Sequence, residues 1–353
     1  MPSSTMSPAA AAAAGAACIS SSAVLMRLAD TSASITALGR CGFALPVLGA
    51  LALAERRRGT PRLPSRNRWL ARLSGLFLAG DLILWSHAIT AIGAGLGTVV
   101  TNLQVLIISL LAWLILGERP RRSLVLASPV MLAGLALVGG LGGLGGSGAY
   151  GTDPSLGVVY GIGVAILYAI YILILRQATS AGGTGPGRDA GSTRTAVAGV
   201  LFEATVGATV GAAAGGFAWH DFHLGHAWPT LGWLVLLALT SQVLGWLLIT
   251  MSMPRLPAGM IGALLLVQPA GSVALSYVIL GERPSALQLL GVALVLAGLL
   301  IAVSVGTAKS PADAAAPAGA ARAAGQVSYS RRSTRIMRHA SGASTGRSAS
   351  KSP

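Results

Sequence analysis

The sequence predicts an all-α integral membrane protein with ten transmembrane helices, arranged as two inverted five-helix repeats. Composition is the first sign: 53% of the 353 residues are hydrophobic, only 10% are charged, and the mean hydropathy is +0.71. A soluble domain carries about 25% charged residues. The other signs are ten long apolar stretches and one hexapeptide, ILGERP, that occurs at both 115–120 and 279–284.

Each apolar stretch is long enough to cross a bilayer, because about 20 residues of helix span roughly 30 Å of hydrocarbon. Backbone N–H and C=O groups must pair within such a segment in lipid, so each stretch is expected to be helical. Lys and Arg are absent from 2–17, so the first stretch is interpreted as a span and not as a signal peptide. The predicted spans are 8–28, 33–54, 73–92, 95–116, 123–143, 155–175, 195–218, 229–251, 258–280 and 286–305.

The basic residues predict the orientation, since Lys and Arg are retained in cytoplasmic loops. They occur in alternate loops: 55–72 holds seven Arg, whereas the next connection, 93–94, holds none. Both termini are therefore expected in the cytoplasm. The net charge of +15 is interpreted as a topology signal. Binding to nucleic acid is not expected, because the Arg residues are divided among loops and no recognition fold is present.

A shift of 164 positions aligns the two halves of the chain. Gln104 falls on Gln268, and the Ala-Gly pair at 94–95 falls on the Ala-Gly pair at 258–259. Each half holds five spans, an odd number, so the second half must enter the membrane in the opposite orientation. Inverted repeats of this kind are typical of secondary transporters whose site lies near the midplane.

The two Gly-Glu-Arg-Pro segments are interpreted as local helix-end chemistry. Glycine ends one helix, proline suits the first turn of the next, and Glu and Arg pair at the membrane interface. The expected organisation is a short N-terminal segment, a first repeat, a Gly-rich connector, a second repeat and a disordered basic cytoplasmic tail, at 1–7, 8–143, 144–154, 155–305 and 306–353.

These features resemble the EamA-type transporters of the drug/metabolite transporter superfamily. The resemblance rests on the span number, the five-plus-five duplication, and a Leu-Gly-Glu ending followed by a Leu/Gly/Ala/Val-rich helix in both halves, and it covers 8–305. It implies a carrier that moves small metabolites, often outward, by alternating access and without a bound cofactor. It also implies the inner or plasma membrane of a prokaryote, which agrees with 23 Arg against two Lys.

Polar side chains in the middle of a span are costly in lipid, so they are expected to face the bundle interior or a water-filled cavity. The expected substrate-binding residues are Gln104, Gln268, Asn102, Trp85, Tyr168 and Trp246, and the expected coupling or charge-balancing residues are Asp81, Glu203 and Arg40. The two glutamines are expected to hydrogen-bond substrate at matching depth. Two alternatives stay open: the amides only bond neighbouring helices, and Arg40 only neutralises Asp81 in a structural pair.

The coupling hypothesis is that Asp81 or Glu203, the acidic residues inside spans, takes up and releases a proton. Gln242 lies one turn from Trp246 and is interpreted mainly as a helix-bonding amide. Other expected contributors are Pro269, which would kink or open the ninth span, and three tyrosines that share part of one face of the sixth, Tyr160, Tyr168 and Tyr171.

No metal or cofactor site is expected. His220, Asp221, His223 and His226 lie close together, but the Trp and Phe residues among them indicate an aromatic belt, so metal binding is the weaker interpretation. An enzyme is not expected either, because no nucleophile is paired with a base.

The predicted function is a secondary transporter that exports small amino-acid-like or drug-like metabolites, with proton coupling as a hypothesis. Its expected partners are a small-molecule substrate, the lipid bilayer and a second copy of the chain in a homodimer. The alternatives are a non-transporting membrane scaffold or receptor, and a carrier of lipid-like or nucleotide-sugar substrates.

Overall fold

The structure is a computed structural model of the chain, and it describes residues 7–117, 120, 122–140, 150–180, 197–222, 228–252 and 266–304. Every regular element within those residues is a helix. The helices are α1 (Pro8–Ser20), α2 (Ser22–Ala29), α3 (Ala33–Gly42), α4 (Leu45–Arg57), α5 (Ser65–Ile92), α6 (Ala94–Thr101), α7 (Gln104–Leu116), α8 (Arg122–Val138), α9 (Pro154–Ser180), α10 (Val197–Trp219), α11 (Thr230–Leu237), a π-helix (Ala238–Gly245), α12 (Trp246–Ser252), α13 (Val267–Leu280) and α14 (Ala286–Ser304).

Seven segments of the described chain are long and apolar enough to cross a membrane, several of them built from two or three consecutive helices. They are Pro8–Ala29, Ala33–Arg57, Ser65–Ile92, Ala94–Ile115, Pro154–Ala178, Val197–Trp219 and Thr230–Ile249. Three shorter apolar helices, Arg122–Val138, Val267–Leu280 and Ala286–Ala302, overlap the remaining predicted spans. The all-helical class is confirmed, and the number of ten spans stays a prediction.

Local sequence signals explain several helix ends. Ser7 and Ser32 precede α1 and α3, and their hydroxyls accept hydrogen bonds from the backbone N–H groups three residues on, the usual N-cap arrangement. Gly117 and Gly281 end α7 and α13 in the left-handed conformation, with φ of 70° and 67°. The predicted role of the glycine in both Gly-Glu-Arg-Pro segments is therefore confirmed.

The duplication is visible in where helices begin and end. Helices α3 and α10 begin at Ala33 and Val197, and α7 and α13 end at Leu116 and Leu280. Helices α8 and α14 begin at residues 122 and 286. Each pair is separated by 164 positions, the shift that the sequence predicts.

The repeat-related elements of the second and seventh predicted spans pack side by side and run antiparallel. At one end, Glu55 of α4 accepts hydrogen bonds from the backbone N–H groups of Ala198 and Gly199, at the start of α10. At the other end, Asp221 follows α10 and accepts a hydrogen bond from the N–H of Ser34, at the start of α3. An inverted duplication requires this antiparallel arrangement.

Small residues bring helices of the two halves into close contact. Gly75 of α5 lies against the Ala204 carbonyl of α10, and Gly207 of α10 lies against the Arg72 carbonyl of α5. A Cβ added at Gly134 of α8 would meet the carbonyl oxygen of Gly291 of α14 at 2.6 Å. Close approach of this kind is typical of helix packing in membranes.

Two expectations need correction. Pro269 lies in the first turn of α13, not in the middle of a helix, and a proline there interrupts no helical hydrogen bond. Glu282 does not pair with Arg283: within the described residues no ion pair joins them, and the Glu282 carboxylate is buried against α6. The predicted features outside the described residues are Glu118 and Arg119, most of the Gly-rich connector, His223, His226 and the tail at 306–353.

Candidate functional site

A buried polar cluster joins the two repeats. Arg40 on α3, Asp81 on α5 and Gln242 on the π-helix are each no more than 6% exposed. The Arg40 Nε donates a hydrogen bond of 3.1 Å to Gln242 Oε1. The guanidinium carbon of Arg40 lies 5.6 Å from the centre of the Trp85 ring, within cation–π range.

Asp81 belongs to this cluster without touching Arg40 directly. It lies one helical turn before Trp85 on α5, and it interacts electrostatically with Arg40. Among the described residues, however, no Arg40–Asp81 contact falls within the 4 Å of an ion pair. The two charges therefore do not form a direct ion pair in the described structure.

Two tyrosines of α9 complete the cluster. The Tyr168 and Tyr171 rings lie 5.5 Å apart, and both interact electrostatically with Arg40 and Asp81. Tyr160, more than two turns earlier on α9, instead stacks on His87 at 5.4 Å. The structure thus assembles two of the three predicted tyrosines around the charged residues.

Three buried polar atoms of the cluster have no hydrogen-bond partner in the described part of the chain: Arg40 Nη1, Trp85 Nε1 and Asp81 Oδ1. Folded proteins rarely leave such atoms unpaired, because each costs about 1–3 kcal/mol. Two of these atoms are donors and one is an acceptor. The arrangement can therefore bind a carboxylate through the donors, and a proton or an amino group through the acceptor.

The π-helix places Gln242 next to Arg40. It is held to the first repeat at a second point, where the Ser22 hydroxyl donates to Ser241 Oγ over 2.7 Å. Such wide turns are rare and occur often at functional sites. Gln242 and Tyr171 are cluster members that lie outside the expected sets of substrate-binding and coupling residues. In the sequence, Gln242 is marked only as an amide in the middle of a predicted span. Other amides in the chain carry the same mark.

Glu203 is placed differently from Asp81. The residue is 3% exposed, and its carboxylate accepts a hydrogen bond of 2.7 Å from Arg72 Nε of α5, forming an ion pair with that side chain. Arg72 precedes Asp81 by nine residues on the same helix. The two acidic residues proposed for coupling therefore differ in their surroundings. Of the two, only Glu203 has a direct cationic partner among the described residues.

The remaining predicted site residues lie at helix ends. Gln104 is the first residue of α7 and Gln268 the second residue of α13, and both are half-buried. No described hydrogen bond joins either glutamine to the cluster. Asn102 donates to the Thr98 carbonyl of its own helix over 2.9 Å. Trp246 is half-buried at the start of α12. Their roles in substrate binding stay predictions.

In the described part of the chain, no three His, Cys, Asp or Glu side chains gather into a group that could hold a metal ion. Asp221, one member of the predicted His-rich group, instead accepts a hydrogen bond from the start of α3. Its neighbours His223 and His226 lie outside the described residues.

Comparison with known proteins agrees with the two-repeat architecture. The model of the EamA-like transporter family matches residues 6–140 and again 155–304. The chain belongs to the EamA-like transporter family. A solved crystal structure of another protein is similar at 20% sequence identity with a TM-score of 0.54, covering 84% of this chain and 96% of that one. Comparison with curated proteins gives no match.

As a member of the EamA family, which lies within the drug/metabolite transporter superfamily, the chain is a multi-pass membrane protein. The family consists of transporters rather than enzymes. This EamA chain is accordingly a membrane transporter of the drug/metabolite type, whose partners are a small-molecule substrate and the lipid bilayer.

Proposed function

We propose that this transporter is a secondary carrier of small zwitterionic, amino-acid-like molecules, which it binds at the cluster around Arg40 and Asp81. The observation that carries the proposal is the set of unpaired buried atoms, Arg40 Nη1, Trp85 Nε1 and Asp81 Oδ1. A substrate carboxylate would accept hydrogen bonds from the first two, in the charge-assisted geometry that guanidinium groups favour. A substrate amino group would donate to the third.

The position of the cluster favours alternating access as the mechanism. Its members come from α3, α5 and α9 and from the π-helix, so both repeats contribute. In carriers built from repeats, movement of one repeat against the other exposes such a site to each face in turn.

We propose that the chain has ten spans in two inverted five-helix repeats, with domain bounds as given above, and that it exports its substrate.

Asp81 is the better candidate for proton coupling, because Glu203 already has Arg72 as a direct partner. An unpaired carboxylate away from water is costly. Either a proton or the substrate amino group would remove that cost, so the two compete for the same oxygen. Competition of this kind would couple substrate release to proton uptake.

The repeat-related glutamines fit a supporting role in this proposal. Gln104 and Gln268 lie at the starts of α7 and α13, and discontinuous helices of transporters commonly contribute such positions to substrate paths. We further propose the plasma membrane as the location, with both termini cytoplasmic. A homodimer remains part of the proposal.

The test begins by comparing metabolites in the medium of cells that overproduce the wild type or a variant at equal membrane abundance. Candidate substrates are then measured by counterflow in proteoliposomes. Trp85→Phe removes only the indole N–H donor and keeps an aromatic ring beside Arg40. The variant is therefore expected to bind substrate more weakly while retaining at least part of the maximal transport rate. Its matched control is Trp113→Phe, at a Trp that is 47% exposed on α7.

Proton coupling is tested with Asp81→Asn. The variant is expected to retain counterflow but lose accumulation driven by a pH gradient, while Asp30→Asn, at an exposed aspartate outside the helices, keeps both. Gradient-driven transport that survives in both Asp81→Asn and Glu203→Gln would exclude coupling through these groups. Unchanged binding in Trp85→Phe would exclude the proposed carboxylate site.

A further inference from the structure

We propose that three carboxylates, each capping a helix of the opposite repeat, are latches that hold the two faces of the carrier closed. They are Glu282, Asp221 and Glu55. The proposal rests on the proposed function, because a latch presupposes a carrier with alternating access. It also assigns a task to the glutamate of the second Gly-Glu-Arg-Pro segment.

Glu282 shows the arrangement most clearly. The residue is 1% exposed. Oε1 accepts a hydrogen bond of 2.7 Å from the Ala94 N–H, and Oε2 accepts one of 3.1 Å from the Gly95 N–H. These two groups begin α6 of the first repeat, whereas Glu282 follows α13 of the second. Among the described residues no cation forms an ion pair with it.

The backbone beside this cap is adapted to the carboxylate. Gly93 precedes α6 with a φ of 98°, and a Cβ at this position would meet Glu282 Oε2 at 3.0 Å and a Tyr150 ring carbon at 2.8 Å. Both the conformation and the space therefore favour glycine. Repeat symmetry in the sequence pairs Glu282 with Glu118, and 94–95 with 258–259.

Glu55 and Asp221 form the same type of contact at opposite ends of α10. Glu55 caps the first turn of α10 through Ala198 and Gly199, at 3.0 and 3.1 Å. Asp221, beyond the last residue of α10, caps the start of α3 through the Ser34 N–H at 3.3 Å. All three carboxylates therefore join one repeat to the other. With the predicted topology, Glu282 and Asp221 lie at the outer face and Glu55 at the inner face.

The physical character of these contacts suits an interaction that breaks and reforms. The N-terminus of a helix carries roughly half a positive charge and several unpaired N–H groups, so a carboxylate binds there strongly. The partner is backbone, and no interdigitated side chains must be repacked on release. Water can replace both sides of the contact when the face opens. The tight Gly75 and Gly207 contact lacks this freedom.

Asp153 supplies the matched control, because it caps α9, the helix that directly follows it in the chain. Its Oδ1 accepts a hydrogen bond of 2.9 Å from the Leu156 N–H in the first turn of α9. Replacing Asp153 by Asn removes a carboxylate charge from a helix N-terminus without releasing a side-chain contact between the repeats. Any effect on stability of losing a negative charge at a helix N-terminus would therefore appear in Asp153→Asn.

The experiment measures from which side the cluster becomes accessible. Cys41 adjoins Arg40 and is fully buried, and Cys18 is the other cysteine of the chain. In a Cys18→Ala background, a membrane-impermeant maleimide labels Cys41 in right-side-out and inside-out vesicles. Labelling after denaturation gives the total thiol and checks abundance. No substrate is needed.

Glu282→Gln is expected to raise the labelling rate from one side by about fivefold or more, and Glu55→Gln to raise it from the opposite side. Asp153→Asn is expected to behave as the wild type. Ala94→Pro offers an independent route: it removes one donor of the Glu282 cap, and proline is tolerated at the first position of a helix. This variant should reproduce the side preference of Glu282→Gln.

Cys41 that stays as protected as in the wild type, or that is labelled from the same side in both glutamate variants, would overturn the latch proposal. The result is separable from the proposed substrate site. If labelling responds as expected but no zwitterion is transported, the latches stand and the proposed substrate class fails. If transport depends on Trp85 but labelling does not respond, the substrate site stands and the latches fail.

Discussion

Arg40 and Gln242 are 202 positions apart in the chain, yet their side chains meet at 3.1 Å in the core between the two repeats. The contact joins α3 to the π-helix, and both residues are almost fully buried. Because Gln242 occupies the Arg40 Nε, it orients the guanidinium and leaves Nη1 available to a ligand. The amide thus acts as a positioning residue for the proposed carboxylate site.

Replacing Gln242 by Leu should destabilise the protein, because a buried guanidinium would lose its acceptor. The expected loss is about 1–3 kcal/mol in the free energy of unfolding, measured as a lower thermal midpoint in detergent. The control is Thr240→Val on the same π-helix, since Thr240 is half-buried and its hydroxyl donates to the Leu236 carbonyl of its own span. Equal midpoints for the two variants would contradict the positioning role.

The ion pair of Arg72 with Glu203 should show measurable coupling in a double-mutant cycle of Arg72→Gln and Glu203→Gln. Removing Arg72 alone leaves a buried carboxylate unpaired, so that variant should be the least stable of the cycle. The Arg72 side chain is 39% exposed, so the coupling energy is expected to be only about 1 kcal/mol.

Arg68 provides the comparison for this cycle. It lies one turn earlier on α5 and is exposed. Arg68→Gln combined with Glu203→Gln should give additive changes in unfolding free energy. A coupling as large as that of Arg72 would mean that the net charge of this region, and not the specific contact, stabilises Glu203.

The helices could be predicted from the sequence because hydropathy and the 164-residue shift indicate which residues lie inside a span and how deep they lie in the membrane. The ends of α7 at Leu116 and α13 at Leu280 follow from the duplicated motif and its glycine. Depth, however, does not determine which neighbour a side chain faces. For this reason Arg40, Asp81 and Trp85 could be selected as candidates, but the hydrogen bond between Arg40 and Gln242 could not be predicted.

Glu282 shows a second limit of sequence reasoning. A Glu-Arg pair directly after a membrane helix is typical of a solvated membrane interface. The sequence therefore predicts an ion pair between the two residues. The structure instead buries the carboxylate on α6, 187 and 188 residues away in the chain. Only knowledge of which helix begins beside α13 could have predicted this partner, and such packing is a property of the assembled bundle.

Gly75→Ala should destabilise the protein by about 1–3 kcal/mol through overpacking. The added Cβ would press on the Ala204 carbonyl and would meet the Ala208 nitrogen at 2.7 Å, and backbone atoms cannot move aside independently. The control is Gly80→Ala on the same helix. There the Cβ would meet only Leu167 Cδ1, at 3.0 Å, which is the end of a flexible side chain.

Gly80→Ala should therefore be neutral or slightly stabilising, since alanine is favoured over glycine in a helix by about 0.5–1 kcal/mol. Both variants are compared by thermal unfolding at equal detergent concentration. Similar midpoints for Gly75→Ala and Gly80→Ala would show that α5 and α10 can separate at this contact without loss of stability.

Asp153 should make the stability of the protein depend on pH in a predictable direction. The Leu156 N–H, together with the Ser155 hydroxyl, lowers the pKa of the Asp153 carboxyl. Its stabilising effect is therefore fully present above the unfolded-state pKa of about 3.9 and is lost as the pH falls through the lower folded-state pKa.

Asn also caps helices, so Asp153→Asn isolates the charge. The wild type should melt at a higher temperature than Asp153→Asn at neutral pH, and this difference should shrink below about pH 4. A difference that stays constant from pH 7 to pH 3 would show that the charge of Asp153 does not stabilise the start of α9.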